Sequence, residues 1–486
     1  MMLKKHLTRI VLIVILVSIY SGNLFREQIP VNNGWGWDGK HYAYLTIHFE
    51  EMASQKSIDS YQYQRILTPA LIHYGCKWTG IVLNDQTVLS IYGYYNLLLL
   101  IIGAILYFGW CNRLKVSKPI EIAGFAALFL NYFVLKNTPY YPILTDPTAF
   151  VIGILLMYWI STRNTTGKWL LAVLGQFVFP LFHVVTLPLI LLPKGNRITQ
   201  WLQKQQVFTA LKWITVVVFF VATCMIIFLP NLILPVKYQM VFTATLLPIS
   251  GVCALVYLWQ VFRIFQNQPL LEQPSSKSFP FVPFILLLLA WGVGKVIVLQ
   301  NSIPEEGFTP VVFGLNLVQQ TLDFPLSWLL AHITYFGPAV IVFLLWGRTL
   351  FHQLFKQPDG IILFAFFSIL LMIGSESRQF IYCWPFWVWM LLQLLSSLQI
   401  TLTQAIAFAM LCLVQSKCWF PINVEGNFAD YDYSSFPEQR YFMNHGPFMS
   451  DASYWINAIA AIAAALFTWV IFCFRPSIKI IEKPIE

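Results

Sequence analysis

Twelve apolar runs, most of them near the length of a membrane-crossing helix, divide this chain almost from end to end. They fall near residues 8–25, 86–110, 119–135, 147–162, 210–230, 238–263, 280–300, 326–347, 360–375, 380–398, 400–416 and 453–474. A hydrocarbon core about 30 Å thick takes roughly 20 residues of helix. Inside it, every backbone N–H and C=O must find its partner within the protein. The residues left over could not cover such runs in water: of 486 residues, 58% are apolar and only 10% charged, with a mean hydropathy of +0.67. The chain therefore reads as an all-α polytopic membrane protein with about 11–14 transmembrane or half-membrane helices. No linker, repeat or soluble segment interrupts it, so residues 1–486 read as a single membrane domain.

The distribution of charge orients that domain. Lys4, Lys5 and Arg9 precede the first apolar run, which lacks a small-residue cleavage site and reads as a retained helix. By the positive-inside rule the N-terminus is cytoplasmic, and Arg113/Lys115/Lys118 and Arg163/Lys168 then fall inside as well. Residues 169–193 are interrupted by Pro180, Pro188 and Pro193. A single crossing there would place Lys194, Arg197, Lys204 and Lys212 outside; a segment that dips in and returns keeps them cytoplasmic. The second topology also keeps Arg263/Lys277, Arg348/Lys356 and Arg475/Lys479/Lys483 inside, and is adopted. The formal charge of +9 then belongs to cytoplasmic loops facing anionic lipid, with no sign of nucleic-acid binding. The acidic outer face carries the long loops 26–85, 136–147, 301–325 and 417–452, and it is there that a site is expected, among helical outer loops.

Cysteine gives no metal or disulfide framework: eight residues with no CxxC, most inside apolar runs where a thiol acts as a small hydrophobe. The chemistry must come from the outer loops. In Trp35-Gly36-Trp37-Asp38-Gly39-Lys40-His41-Tyr42 a lone carboxylate stands among aromatic rings and glycines. Arg65, after Tyr61 and before a short amphipathic stretch, suits either a phosphate or a lipid headgroup. Asp146 precedes Pro147 at the start of an apolar run, as a helix cap would, yet the Pro139-Tyr140-Tyr141-Pro142 aromatic wall beside it has no part in capping. His183 marks the tip of the broken segment, where a lone histidine is more often a hydrogen-bonded core residue. Lys295 sits within an apolar run and implies a cavity or a partner. Glu376 and Arg378 lie between two runs, as a local ion pair or as a guanidinium that neutralises phosphate with the carboxylate orienting it. The loop 417–452, with Glu425, Asp430, Tyr431, Asp432, Tyr433, Arg440, His445 and Asp451, reads as a rim.

A first helix followed by an outer loop with W-D-G-x-x-Y resembles the GT-C superfamily of integral-membrane glycosyltransferases, the bacterial polyprenyl-phosphate-sugar and GPI-mannosyltransferase types among them. Trp37-Asp38-Gly39-Lys40-His41-Tyr42 carries that motif, and Thr145-Asp146-Pro147 and Glu376-Ser377-Arg378 up to Pro385 resemble two further segments. Relatives continue the motif into I-A-x-x-G-Y, whereas this chain reads Ala43-Tyr44-Leu45-Thr46-Ile47-His48-Phe49, which leaves the sugar open. The resemblance implies a GT-C-like fold and inverting transfer from a polyprenyl-phosphate sugar to a hydroxyl of a glycan, lipid or protein acceptor, at the non-cytoplasmic face of a bacterial inner (plasma) membrane. Asp38 would be the base, with Asp146 as second candidate. Trp37, Lys40, His41, Tyr42, Arg65, Tyr140, Tyr141, His183, Glu376 and Arg378 would bind substrate. No cofactor is implied beyond the lipid-linked donor, and metal dependence is left open. The rival class is a polytopic transporter or lipid flippase, which accounts for the broken segment and Lys295 but not for polar residues gathered in loops. A membrane acyltransferase built on His183 or His332 has no supporting constellation.

Overall fold

The computed structural model describes residues 2–180, 182–191, 205–228, 246–266, 281–304, 310–322, 324–423, 449 and 451–473. Among them 22 α-helices make an all-α polytopic architecture, and the strands are limited to Ile58–Asp59 and Ser302–Ile303, paired in parallel. Seven helical segments are long and apolar enough to cross a membrane alone. They belong to α1 (Met2–Leu24), α6 (Val88–Leu114), α12 (Gln205–Phe228), α13 (Leu247–Gln266), α14 (Phe281–Asn301), α20 (Trp384–Ser397, entered through the 3-10 turn Ser377–Cys383) and α22 (Asp451–Cys473).

An eighth crossing is bent. α7 (Lys118–Phe129) and the segment Phe133–Tyr140, which ends in α8 (Thr138–Tyr140), meet at 48°. Asn131 repairs the break: its side-chain amide donates to the carbonyls of Ala127 and Leu128, and its oxygen accepts from the Val134 N–H. Backbone groups freed by a kink inside a bilayer need such partners. Shorter apolar helices fill the bundle: α9 (Asp146–Ser161), α19 (Asp359–Leu371) and α21 (Leu402–Gln415). The expected run 326–347 is broken into α16 (Ser327–Phe336) and α17 (Pro338–Leu345), because Gly337 adopts φ +78 and Pro338 has no N–H to continue the ladder. α15 (Pro310–Leu322) and α18 (Gly347–Leu354) complete the later half.

The broken segment is a folded-back pair. α10 (Thr165–Leu174) and α11 (Phe182–Leu191) pack against each other across a turn at Gly175–Pro180. A Cβ on Gly175 would stand 2.1 Å from the Phe182 ring, so glycine alone allows so tight a return.

Burial separates the centre of the bundle from its rim. The segment Ser377–Ser397 is 83% buried, against 17% for the apolar parts of α12 and α14. α20 is thus wrapped by α7, α9 and α17, while α12 and α14 present leucines and valines outward, as lipid-facing helices do.

Residues between α1 and α6 fold into a helical cap: α2 (Trp37–Ile47), α3 (Phe49–Gln55), α4 (Ser60–Tyr63) and α5 (Leu67–Thr79). In α5, Thr68, Ile72 and Cys76 recur every four residues and are buried, while Leu71 and Trp78 stay exposed. Tyr42, Ala43, Ile72, Cys76, Val88, Tyr92 and Ile143 form the small core of the cap. At the opposite end of the bundle Arg9 is not a solvated charge but a buried one, donating to Glu121 at 2.8 and 2.6 Å and to Asn112 at 2.7 Å.

Candidate functional site

Two glycines explain where Asp38 stands. Gly36 (φ +70) precedes α2, and Asp38 lies in its first turn, where the free backbone N–H groups favour a carboxylate. A Cβ on Gly36 would fall 2.3 Å from the Tyr141 ring, and one on Gly39 would fall 2.8 Å from the Ile143 carbonyl. The glycines on either side of Trp37-Asp38 therefore let the Tyr141–Ile143 segment press directly onto α2. The Gly39 N–H donates to the Tyr141 hydroxyl at 2.8 Å, and Trp37 meets Tyr141 edge-on.

A second close approach brings in the opposing charge. Asp146 and Gly153 are seven residues apart on α9, hence on one face. A Cβ on Gly153 would stand 2.5 Å from the Tyr382 carbonyl oxygen. Arg378 lies four residues before Tyr382 in the 3-10 turn, so tight packing at Gly153 sets Arg378 beside Asp146. The Arg378 guanidinium collects three carboxylates: Nη2 to Asp38 Oδ2 at 2.8 Å, and Nε to Asp146 Oδ1 and to Glu376 Oε1, each at 3.4 Å. Asp146 is not a cap. Thr145 holds the N-cap position without a side-chain bond, and neither Asp146 oxygen receives a hydrogen bond among the described residues.

The turn that carries Arg378 is braced from behind. Glu376 donates its N–H to Gln320 Oε1 at 3.2 Å and accepts from Gln379 at 3.2 Å. His332 bonds Ser377 Oγ at 2.9 Å through Nδ1 and the Met372 carbonyl at 2.8 Å through Nε2. Both of its ring nitrogens are thus hydrogen-bonded within the protein.

Exposure is uneven across the cluster: 40% for the Asp38 side chain, 16% for Arg378, 18% for Glu376 and 1% for Asp146. Asp38 packs closely against protein yet keeps part of its carboxylate open to water. Crowding alone would raise its pKa, but Arg378 and then Arg65 outweigh it and hold the carboxyl below the usual range. It is ionised at neutral pH.

Arg65 is the most unusual group. Asp59 caps α4 by accepting from the Tyr61 and Gln62 N–H groups at 2.7 and 3.4 Å, which fixes Tyr61. The Arg65 guanidinium is then held between the Tyr61 ring at 4.3 Å and the Phe179 ring at 4.4 Å. It has no exposure, and none of the three guanidinium nitrogens has a hydrogen-bond partner among the described residues. Phe179 comes from the α10–α11 turn, so the broken segment forms a wall of this site. Lys295 reaches the same wall, donating to Gln64 at 2.9 Å, and His183 stacks on Trp291.

The cluster unites Trp37, Asp38, Arg65, Tyr141, Asp146, Glu376 and Arg378, with the buried Tyr42 hydroxyl, which lacks a hydrogen-bond partner, close by. Others lie outside it. Lys40 and His41 are exposed on α2; His41 is still close enough to act on the Asp38 carboxyl, while Lys40, two residues on from Asp38, lies on another face of the helix. Tyr140 donates instead to Asn423. Residues 424–448, most of the expected rim, lie outside the described residues. Sequence reading missed Tyr61 and Phe179 as the cradle of Arg65; the four-residue spacing of Tyr61 and Arg65 was the one available signal. Among the described residues no three His, Cys, Asp or Glu side chains come together as a metal site.

No family model, curated protein or solved structure matches this chain.

Proposed function

We propose that the protein is a GT-C-type glycosyltransferase that moves a sugar from a polyprenyl-phosphate donor to an acceptor hydroxyl, with the long-loop end facing the non-cytoplasmic side. The observation that supports this reading is the convergence of Asp38, Asp146 and Glu376 on Arg378, from three distant parts of the sequence, at one end of a membrane bundle.

The chemistry follows from the groups present. The acceptor hydroxyl loses its proton to the Asp38 carboxylate as its oxygen attacks the anomeric carbon. The bond between that carbon and the phosphate oxygen breaks, and the electron pair leaves with the polyprenyl phosphate. Attack opposite the leaving group inverts the anomeric centre. Arg378 and Arg65 meet the negative charge that grows on the phosphate. Asp146 and Glu376 hold the Arg378 guanidinium in place, and Trp37 and Tyr61 are aromatic surfaces suited to a sugar ring.

Transport gains nothing further here, because Lys295 and the α10–α11 turn are accounted for as walls beside Arg65. The test is incubation of the purified protein in lipid nanodiscs with radiolabelled polyprenyl-phosphate sugars. Transfer by the wild-type protein and its loss in Asp38→Asn are expected. Activity that survives in Asp38→Asn would sink the assignment of the base.

A further inference from the structure

We infer that the Asp38–Arg378 ion pair is a resting contact that an anionic substrate opens, so that phosphate binding frees the base and precedes acceptor binding. This rests on the glycosyl-transfer reading for its consequence. The exchange itself follows from which of the three Arg378 contacts can yield.

Asp146 yields less readily: at 1% exposure no water can take the place of the guanidinium beside it. Glu376 is tied through its N–H to Gln320 and through its carboxylate to Gln379. Asp38, at 40% exposure, meets water on its open side and is the cheapest partner to release, although its contact is the shortest.

Something must draw Arg378 away, and Arg65 shows what. Its guanidinium is buried with no hydrogen-bond partner among the described residues, and the Tyr61 and Phe179 rings keep it from swinging to another acceptor. Asp38 is near enough to feel its charge but makes no hydrogen bond to it. Asp38 cannot shift to serve both cations, because the Gly39–Tyr141 bond and the close contact at Ile143 hold α2. A phosphate, with acceptor oxygens on several sides, can bridge Arg65 and Arg378 at once. Satisfying Arg65 is the gain that offsets the lost Asp38 contact. While paired, Asp38 is a poor proton acceptor; once released, it is hydrated and ready for a hydroxyl. Without donor, therefore, the acceptor meets a masked base, and activation of water or acceptor in an empty site is suppressed.

The test is carbodiimide-driven amine labelling of Asp38 in the full-length protein in nanodiscs, read by peptide mass spectrometry, with dodecyl phosphate as probe and dodecanol as control. Release from Arg378 returns the carboxyl upward toward its ordinary pKa and so enlarges its reactive protonated fraction. Labelling of Asp38 should therefore rise several-fold with dodecyl phosphate and stay flat with dodecanol. Glu27, which has no part in the exchange, should not respond. Arg378→Gln should label at the raised level without probe; if it does not fold, Arg378→Lys should give an intermediate level. Labelling that stays level or falls with dodecyl phosphate overturns the exchange, as does an Arg378→Gln protein whose Asp38 is as protected as in wild type. Transfer assays on the same preparations separate the two ideas. Responsive labelling without any transfer overturns the enzymatic reading alone, and transfer with unresponsive labelling overturns only the exchange.

Discussion

Two clusters of charge lie at the same end of the bundle, and they are built on opposite principles. Glu27 accepts from Lys136 Nζ at 2.5 Å, from the Ile422 N–H at 2.7 Å and from the Asn423 N–H at 3.1 Å. One cation meets one anion, the side chains are 1% and 10% exposed, and the pair ties the end of α1 to the bent helix and to the segment after α21. Around Arg378, three carboxylates share one guanidinium, two of the contacts are 3.4 Å long, and the neighbouring Arg65 guanidinium has no hydrogen bond among the described residues. A buried charge left incomplete costs stability. A fold carries such a cost where a ligand completes the set, so the incomplete cluster marks the site and the complete one marks a joint.

The largest expected effect comes from the incomplete cluster. Asp38→Asn should lower transfer by about 10²–10⁴-fold, the usual worth of a positioned base. Its thermal unfolding should stay near wild type because Asp38 is half-exposed. A large fall in unfolding temperature would make Asp38 a joint like Glu27.

Next in size is the complete cluster. Lys136→Met leaves Glu27 buried without its cation and should cost about 3–5 kcal/mol of stability. Each molecule that remains folded should keep its activity. If denaturation in mixed micelles shows no loss, the contrast between the clusters fails.

Gly153→Ala tests how the incomplete cluster is brought together. Its Cβ would meet the Tyr382 backbone oxygen at 2.5 Å, so a cost of about 1–3 kcal/mol is expected, with reduced transfer as Asp146 moves from Arg378. Stability and activity measured together on the purified variant check both.

The pH dependence of transfer is a smaller effect with a definite sign. Asp38 is held below its ordinary value of about 3.9, so its stabilising pair is intact above that value and is lost as pH falls through the lowered one. The acid limb of kcat/KM should lie below about pH 4 in wild type and move up in the residual activity of Arg378→Lys. A limb near pH 6 in wild type would mean a different base. The smallest effect should be Arg65→Met, within about 1 kcal/mol of wild-type stability or above it, since it removes an unsatisfied buried guanidinium. Chemical unfolding measures it, and a loss as large as that of Lys136→Met would mean that Arg65 is itself a joint.

Much of the site was legible as chemistry. A carboxylate between aromatic residues and glycines, an aspartate beside a proline, and an arginine between two apolar runs each stood out in the sequence. The broken segment was legible too, because proline and glycine act locally. The cradle of Arg65 was not, since Phe179 and Tyr61 are more than a hundred residues apart. Nor was the difference between Tyr140 and Tyr141: adjacent and alike in type, one bonds Asn423 and the other carries the Gly39 N–H.

The sequence by itself determined that this chain is a helical membrane bundle, because apolar length and scarce charge leave a bilayer as the solvent that suits it. It also determined which side chains could do chemistry. Only the tertiary structure decided which charges meet and which are satisfied. Those outcomes depend on approaches at Gly36, Gly39 and Gly153 too close to admit a Cβ, between segments whose separation along the chain carries no record of their distance in space.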